Sequence, residues 1–365
     1  MKTYLQKLAQ LLIDYSLEIN PGDVLRITAG AVTMPLYHET YRAAIRAGAF
    51  VIPRISDPTF QEILLREGSD EQLQWVSPFL RGEIEHAGKW LDIVSDTNTR
   101  QFASINPERI AMNRRASQAE QLLFDQRAAA GKLQWCVTTY PTEAMAQEAG
   151  MSLLEYTDFV DQACLLDDPD PGASWQRIYE TQQTLVAFLA GCRHIRIVAP
   201  GTELEYECGG RRWVNCAGKI NLPDGEVFTG PIEDSMSGHM RVAFPSIYGG
   251  TTVDGIELGF ERGKVVKATA RHGQQFLEGM LNMDAGARFV GEVAFGTNYG
   301  IQRATGNALF DEKIGGTMHL ALGSSYPETG GVNESALHWD LVADLRDGEV
   351  YADGELCYKA GRFLI

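Results

Sequence analysis

Residues 24–52 have the sequence VLRITAGAVTMPLYHETYRAAIRAGAFVI, which contains two apolar runs separated by a helical segment. The first run, Val24 to Ile27, follows the turn sequence Asn20 to Asp23 and predicts a strand. Pro35 to Gly48 is rich in good helix formers, and Phe50 to Ile52 predicts a second strand. A strand, a helix and a strand in this order predict a βαβ unit with parallel strands.

The same alternation continues through the first half of the chain. The apolar runs Trp90 to Val94 and Leu133 to Thr138 are typical of buried strands, and helical stretches such as Glu120 to Ala130 separate them. Tyr4 to Ser16 has leucines at helical spacing and predicts an amphipathic helix. We therefore predict a doubly wound α/β domain. Neither G-x-G-x-x-G nor a Walker-type loop occurs in it, which disfavours nucleotide binding.

The composition changes at Asp167 to Gly172, an acidic and proline-rich stretch that disfavours regular structure. A predicted helix, Trp175 to Gly191, follows. After it, short strands punctuated by glycine dominate, with one further helix predicted at Gly273 to Met283. The chain is thus predicted to form a doubly wound α/β domain at residues 1–190 and a β-rich α+β domain at residues 191–365.

Charge and composition narrow the classes of partner. The 365 residues carry a formal net charge of −16, and nucleic acid or an anionic membrane would repel such a surface. The six cysteines are scattered without a C-x-x-C pair, which predicts buried thiols. No run approaches the roughly 18 apolar residues of a membrane span, and the first residues lack the apolar core of a signal peptide. We expect a cytoplasmic protein.

Histidines and carboxylates in the second half are candidate metal ligands. His338 and Asp340 are two residues apart, so on a strand both side chains project from the same face. His319 lies in an apolar run. Glu292 stands among Val, Ala and Phe, where a carboxylate is costly to bury without a cation. Glu226 follows a turn at the start of a predicted strand. Imidazole and carboxylate suit Zn²⁺, Co²⁺, Mn²⁺ or Fe²⁺.

Other hydrolase patterns are missing from the sequence. The absence of H-E-x-x-H excludes the zinc proteases that carry this pattern on a helix, and the absence of G-x-S-x-G gives no serine-hydrolase elbow. A metal centre assembled from separate strands is therefore the leading interpretation.

The segments around these residues resemble motifs of the thermophilic-aminopeptidase family, of the aminopeptidase T and aminopeptidase S type. The resemblance covers the second half well and the first half in general layout. The segments that carry it are Gly225 to Pro231, Gly291 to Phe295, Asn307 to Gly323, Ser325 to Pro327 and Asn333 to Asp340.

The resemblance implies a homodimeric exopeptidase that removes N-terminal residues from peptides with two divalent ions, Zn²⁺, Co²⁺ or Mn²⁺, in an enclosed chamber. It implies that Tyr326 lies close to the metals and that Glu312 is either a further ligand or the group that handles the proton of the attacking water. The stretch from Tyr326 to His338 is compact, which predicts a reduced wall there. The implied metal ligands are Glu226, Glu292, His319, His338 and Asp340.

Two alternatives use the same residues. Distant relatives of this family include ring-opening dioxygenases of the dihydroxypyridine type, for which His319, His338 and Asp340 around one Fe²⁺ would suffice. Such a site needs neither Glu226 nor Glu292, so these two glutamates favour the peptidase. A binding protein with a structural metal would need a closed coordination shell, which five or six candidate ligands on open strands disfavour.

Overall fold

The computed structural model of the chain describes residues 3–365. No helix within that range is both long enough and apolar enough to cross a membrane. A π-helical turn spans Leu12–Ser16, and 3-10 turns span Ala31–Thr33 and Pro327–Thr329. The α-helices are α1 Tyr4–Leu11, α2 Met34–Arg46, α3 Pro58–Glu67, α4 Asp70–Gln74, α5 Pro78–His86, α6 Pro107–Ala116, α7 Gln118–Ala129, α8 Glu143–Glu148, α9 Leu153–Ala163, α10 Pro171–Leu189, α11 Gln274–Leu281 and α12 Ala308–Asp311. The β-strands are β1 Val24–Gly30, β2 Phe50–Ser56, β3 Lys89–Val94, β4 Gln134–Thr139, β5 His194–Ala199, β6 Thr202–Glu207, β7 Val214–Cys216, β8 Asn221–Leu222, β9 Glu226–Thr229, β10 Ser237–Arg241, β11 Ser246–Tyr248, β12 Thr251–Val253, β13 Glu257–Glu261, β14 Lys264–Thr269, β15 Val290–Gly296, β16 Thr317–Gly323, β17 His338–Asp344, β18 Glu349–Ala352, β19 Glu355–Lys359 and β20 Arg362–Phe363.

The described residues form two compact units. One unit runs up to Gly172 and also includes Gly218–Leu222, while the other comprises Ala173–Ala217 and Pro223–Ile365. Helix α10 begins at Pro171, inside the stretch predicted as a loop, because proline is well tolerated in the first turn of a helix, where its missing N–H would be unpaired anyway. The domain division at residue 190 stays a prediction.

The first unit contains a five-stranded parallel sheet in the order β2-β1-β3-β4-β8. Strand β1 pairs in parallel with both β2 and β3, for instance through Leu25 with Val51 and Ile27 with Leu91. The chain adds strands first on one side of β1 and then on the other, as in a doubly wound sheet. The predicted βαβ unit and the predicted α/β class are both confirmed.

The second unit contains two main antiparallel sheets and a two-stranded hairpin formed by β11 and β12. One has eight strands in the order β14-β13-β10-β6-β5-β18-β19-β20, and the other has five in the order β17-β16-β15-β9-β7. Apolar side chains of both sheets, such as Leu204 and Tyr206 from the first and Phe295, Leu320 and Leu341 from the second, belong to one buried cluster. The β-rich character predicted for the second half is confirmed.

Candidate metal centre

All five predicted metal ligands lie on the five-stranded antiparallel sheet. Glu226 begins β9, Glu292 lies near the start of β15, His319 lies on β16, and His338 and Asp340 begin β17. Residues two apart on a strand share a face, as predicted for His338 and Asp340. Residues that alternate with the ligands along these strands, such as Trp339 between His338 and Asp340, point to the opposite face and join the apolar core. The sequence of each strand therefore separates ligands from core by simple alternation.

A small residue lies directly opposite every candidate ligand on one of its two neighbouring strands or on its single one. Alanine and glycine at these positions leave space between the longer polar side chains. The register pairs are Gly296 with Glu226, Ala321 with both Glu292 and Asp340, Ala294 with His319, and Gly323 with His338.

Gly296 also admits a loop against the sheet. A Cβ at this position would lie 2.2 Å from the backbone oxygen of Ile314, so only glycine allows the approach. The loop is held there by backbone hydrogen bonds from Asn298 N to Lys313 O and from Gly315 N to Asn298 O, each 2.9 Å long. The contact carries the segment of Glu312 and Lys313 to the candidate ligands.

Glu292 lies between the two imidazoles. Its Oε1 is 3.5 Å from Nε2 of His319, and its Oε2 is 3.4 Å from Nε2 of His338. Asp340 Oδ1 is 3.8 Å from Nε2 of His319 and 3.6 Å from Nε2 of His338. Atoms that each lie about 2.0–2.2 Å from a shared ion can be no more than about 4.4 Å apart. The spacing of these nitrogen and oxygen atoms therefore fits shared cations.

Glu226 supplies a test of whether a cation fits. Its Oε2 is fully buried, has no hydrogen-bond partner among the described atoms, and lies 3.7 Å from Nε2 of His319. A buried carboxylate oxygen without a partner is costly, and a bound cation would remove that cost. Ligand atoms of Glu226, Glu312 and His319 lie within 4.8 Å of one another, and so do those of Glu292, His319 and Asp340. These residues fit divalent ions.

Backbone carbonyls orient both imidazoles. Nδ1 of His338 lies 3.0 Å from the carbonyl oxygen of Ser324, and Nδ1 of His319 lies 3.3 Å from that of Glu312. A carbonyl oxygen only accepts hydrogen bonds, so each Nδ1 donates its hydrogen, and in the neutral ring Nε2 carries the lone pair. This is the usual arrangement of histidines that bind metals through Nε2.

The electrostatics of the cluster depend on which groups face each carboxylate. Burial raises the pKa of Glu226 to about 7 and that of Asp340 to about 8. Burial would also raise the pKa of Glu292, but hydrogen bonds and charge from His319 and His338 outweigh it and lower that pKa to about 2. Conversely, the carboxylates raise the pKa of His319 to about 10 and that of His338 to about 9, against the effect of burial. Without a cation, the site holds protons tightly.

Lys313 contacts the candidate ligands and was not among the site residues predicted from the sequence. Its side chain is 1% exposed, and Nζ lies 2.5 Å from Glu226 Oε1 and 2.9 Å from Glu312 Oε2. Burial lowers the pKa of this amine, but the charges of Glu226 and Glu312 outweigh burial and raise it. In the sequence, Lys313 directly follows the candidate residue Glu312 and precedes Gly315 and Gly316, within a segment that resembles the family. This context does not distinguish a buried lysine from a surface lysine.

Tyr326 lies beside the candidate ligands, as the resemblance implied. Its ring centroid is 5.1 Å from that of His338 and 5.3 Å from that of Phe228. Partial burial and the charges of Glu292 and Asp340 raise the pKa of the Tyr326 hydroxyl, so it keeps its proton at neutral pH. The hydroxyl can therefore serve as a hydrogen-bond donor.

Residues 1–363 match the family model of the thermophilic metalloproteases, M29. The chain belongs to this family. Aminopeptidase 2 of Geobacillus stearothermophilus is 30% identical and matches 98% of this chain and 97% of its own length. Aminopeptidase T of Thermus thermophilus is 27% identical over 97% of this chain and 96% of its own length. The solved structure of wild-type AmpT from Thermus thermophilus superimposes with a TM-score of 0.87, 24% identity and 99% coverage of both chains, which shows the fold.

Membership in the family confirms the prediction that the chain is a metal-dependent aminopeptidase, a hydrolase of peptide bonds. The predicted resemblance itself is likewise confirmed. Neither the family match nor the relatives above support the ring-opening dioxygenase. The number and identity of the metal ions, and the role of each site residue, stay predictions.

Proposed function

We propose that this aminopeptidase hydrolyses the peptide bond after the N-terminal residue of its substrate with two divalent ions, Zn²⁺, Co²⁺ or Mn²⁺. The ions would be held by the five side chains Glu226, Glu292, His319, His338 and Asp340. One observation carries the proposal of two ions. The two oxygens of Glu292 face different imidazoles, at 3.5 Å and 3.4 Å, so Glu292 could help to hold an ion beside each of them.

The protein groups around the ions have distinct proposed tasks. When bound, the ions would polarise the scissile carbonyl and lower the pKa of the attacking water. Glu312 accepts the proton of that water, and its carboxylate is fixed by the ammonium of Lys313, 2.9 Å away. Tyr326 donates a hydrogen bond to the oxygen of the scissile carbonyl as negative charge develops there. A preorganised donor of this kind contributes about 3 kcal/mol.

Carboxylates beside the proposed ions favour a substrate with a free amine. Glu312 and Asp340 line the same cavity as His338. Carboxylate oxygens accept hydrogen bonds from an amine and attract its positive charge when it is protonated. We therefore propose peptides with an unblocked N-terminus as the substrate class.

A comparison of free and blocked substrates tests this proposal. Aminoacyl-anilides with a free α-amine should be hydrolysed, and the same anilides acetylated at the α-amine should not. Chelation should abolish the reaction, and added Zn²⁺, Co²⁺ or Mn²⁺ should restore it. Equal hydrolysis of free and acetylated anilides would contradict an exopeptidase, and activity that survives complete chelation would contradict a metal-dependent one.

The role proposed for Glu312 has its own test. Glu312→Gln should lose at least about a hundredfold in kcat while the purified protein retains its full metal content. The matched control is Glu328→Gln, at an exposed glutamate two residues after Tyr326. It should leave kcat and metal content unchanged. If Glu312→Gln loses one metal ion per chain, Glu312 is a ligand and not the proton acceptor.

We also propose that the protein is a homodimer, as the family resemblance implies. Sedimentation equilibrium should give about twice the chain mass of 40.3 kDa at micromolar concentration. A single species at the chain mass would contradict it.

A further inference from the structure

A cavity opens beside the candidate ligands in the second unit. Its volume is about 240 Å³, and His338, Asp340 and Glu312 form one side of it. We propose that this cavity receives the side chain of the substrate's N-terminal residue and selects bulky aliphatic or aromatic residues. The inference rests on the proposed aminopeptidase reaction and specifies its substrate.

The cavity lies where the N-terminal side chain would have to go. Asp340 and Val342 are two residues apart on β17 and therefore share the face that carries the candidate ligands. Val342 pairs in register with His319. A peptide whose scissile carbonyl lies at His338 and Asp340 presents its first side chain within one residue spacing of the bond that breaks. From Asp340, a candidate ligand, the same face of β17 continues to Val342, which lines the cavity.

The walls beyond the ligands are mostly apolar. They come from β17, from the stretch that leads into β11 and from α12, so three separate segments converge on one space. Apolar side chains of a substrate would lose water-exposed area on entering it, which favours binding. The wall residues with apolar side chains include Val242, Phe244, Pro245, Ile247, Ala308 and Val342, and the aromatic rings of Tyr248 and Trp339 also line the cavity.

Asp311 and Trp339, two polar groups of the wall, are paired within the protein. The Asp311 carboxylate accepts hydrogen bonds from the backbone N–H groups of Thr305 and Gly306, at 2.7 Å and 2.8 Å, and from the Thr305 hydroxyl, at 3.0 Å. Nε1 of Trp339 donates to the Ser246 hydroxyl at 2.8 Å. These groups hold the walls in place. We assign Glu312 and Asp340 to the catalytic water, the ions and the α-amine. A charged or strongly polar substrate side chain would therefore lose hydration without gaining Asp311 or Trp339 as a new partner.

The cavity wall is closed where two of its segments meet, and it is open at a mouth. Gly306, whose N–H donates to Asp311, lies so close to Ile247 that an added Cβ would be 2.9 Å from Ile247 Cδ1, so these two residues leave no gap in the wall. Ala308 lines the cavity but is exposed, so it borders the mouth. Size selection should then depend on the volume of Ile247 in the wall and on that of Ala308 at the mouth.

The test is kcat/KM for the Ala, Leu, Phe and Arg anilides, in the parent protein and in variants. The parent should prefer Leu and Phe over Ala and Arg by about tenfold or more, the scale set by filling a hydrophobic pocket. Ala308→Phe should reduce kcat/KM for Leu and Phe by about tenfold or more and change that for Ala by less than about threefold. Ile247→Ala should raise the Phe-to-Leu ratio by about tenfold.

Ratios between substrates cancel any loss of folded or metal-loaded protein, so misfolding cannot mimic the result. The matched control is Ala187→Phe, an exposed alanine on α10 in the same unit that does not line the cavity, and it should leave all ratios unchanged. An equal change for all four substrates in Ala308→Phe, or a parent that prefers Arg, would overturn the pocket and leave the aminopeptidase reaction standing. A parent that hydrolyses no anilide would overturn both.

Discussion

The two faces of the five-stranded antiparallel sheet have opposite chemistry on the same strands. On β16, Leu320 and Leu322 point into the apolar core and are 0% exposed. His319 and Ala321, which alternate with them, belong to the face that carries the candidate ligands. The contrast shows that a period of two residues separates the side chains that build the core from those that carry the candidate site.

The two faces should also stabilise the protein in different ways. Apolar area buried on the core face stabilises the fold whether or not metal is present. The opposite face buries Glu226, Glu292 and His319, each at most 5% exposed, and such groups are costly unless they are paired. Ions that bind only the folded state stabilise it by mass action. Substitutions on the two faces should therefore be distinguishable by removing the metal.

The largest predicted effect is on the ligand-bearing face. Glu292→Ala should lose at least one metal ion per chain. Its activity should fall by more than about 100-fold, because substitution of groups that only orient metal ligands already costs about 10–100-fold. The rise in Tm on adding metal should shrink at the same time. Elemental analysis, anilide hydrolysis and thermal melts with and without metal measure these three quantities. Full activity in this variant would contradict a role for Glu292 as a metal ligand, and with it the observation that carries the proposal of two ions.

Lys313 should show the cost of unbalanced charge on that face. Lys313→Met leaves Glu226 and Glu312 buried without their ammonium partner, which should lower the free energy of unfolding of metal-stripped protein by about 3–5 kcal/mol. The loss should be smaller in metal-loaded protein because the ions replace the missing positive charge. Chemical denaturation in both states measures the difference.

Lys359→Met is the control for Lys313→Met. Lys359 forms a 2.8 Å ion pair with Glu349, but its side chain is 58% exposed. Its loss should therefore leave the free energy of unfolding nearly unchanged in either state, because exposed ion pairs contribute little. Equal losses in the two lysine variants would contradict a buried charge network around Lys313.

A core-face substitution should behave in the opposite way. Leu320→Ala should lower the free energy of unfolding by about 2–5 kcal/mol, equally in metal-loaded and metal-stripped protein. Activity per metal-loaded folded chain should stay close to that of the parent. A loss confined to the metal-loaded state would mean that the two faces are not independent.

The smallest predicted effect is the response to pH of the two imidazoles on the ligand-bearing face. In metal-stripped protein, burial opposes the charged form of both imidazoles, but their carboxylate partners, Glu292 first, outweigh it and raise the pKa of His319 to about 10 and of His338 to about 9. Unfolded histidines titrate near about 6.5. The stability from these pairs is thus fully present below about pH 6.5 and lost as pH rises through the folded pKa values. The Tm of stripped protein should fall between about pH 7 and about pH 10.

Metal-loaded protein should respond differently over the same range. Ions compete with protons for the ligands, so the rise in Tm on adding metal should grow as the pH increases. Thermal melts of both forms at matched ionic strength measure the two trends. A stripped protein whose Tm rises toward pH 10 would contradict the proton-holding cluster.

Local patterns in the sequence predicted much of this molecule. The βαβ unit at residues 24–52 and the shared face of His338 and Asp340 follow from periods that a sequence displays directly. Glu292 was recognisable because a carboxylate in an apolar run is physically expensive. These features need no knowledge of what lies across the sheet.

Features that depend on register and loop approach could not be predicted in this way. Lys313 reaches Glu226 because a loop lies against Gly296, and nothing in the loop's own sequence specifies that contact. Strand β8 is two residues long and pairs with β4, far from it in sequence, so it has too little pattern to detect. The cavity walls combine three segments whose proximity exists only in the folded chain.

Titration of metal into stripped protein tests the central claim most directly, because it counts the ions that the ligand-bearing face needs. We predict that aminopeptidase activity rises until two equivalents of Zn²⁺, Co²⁺ or Mn²⁺ per chain have bound and then levels off, with bound metal confirmed by elemental analysis. Full activity at one equivalent, or two bound equivalents in Glu292→Ala, would contradict the account.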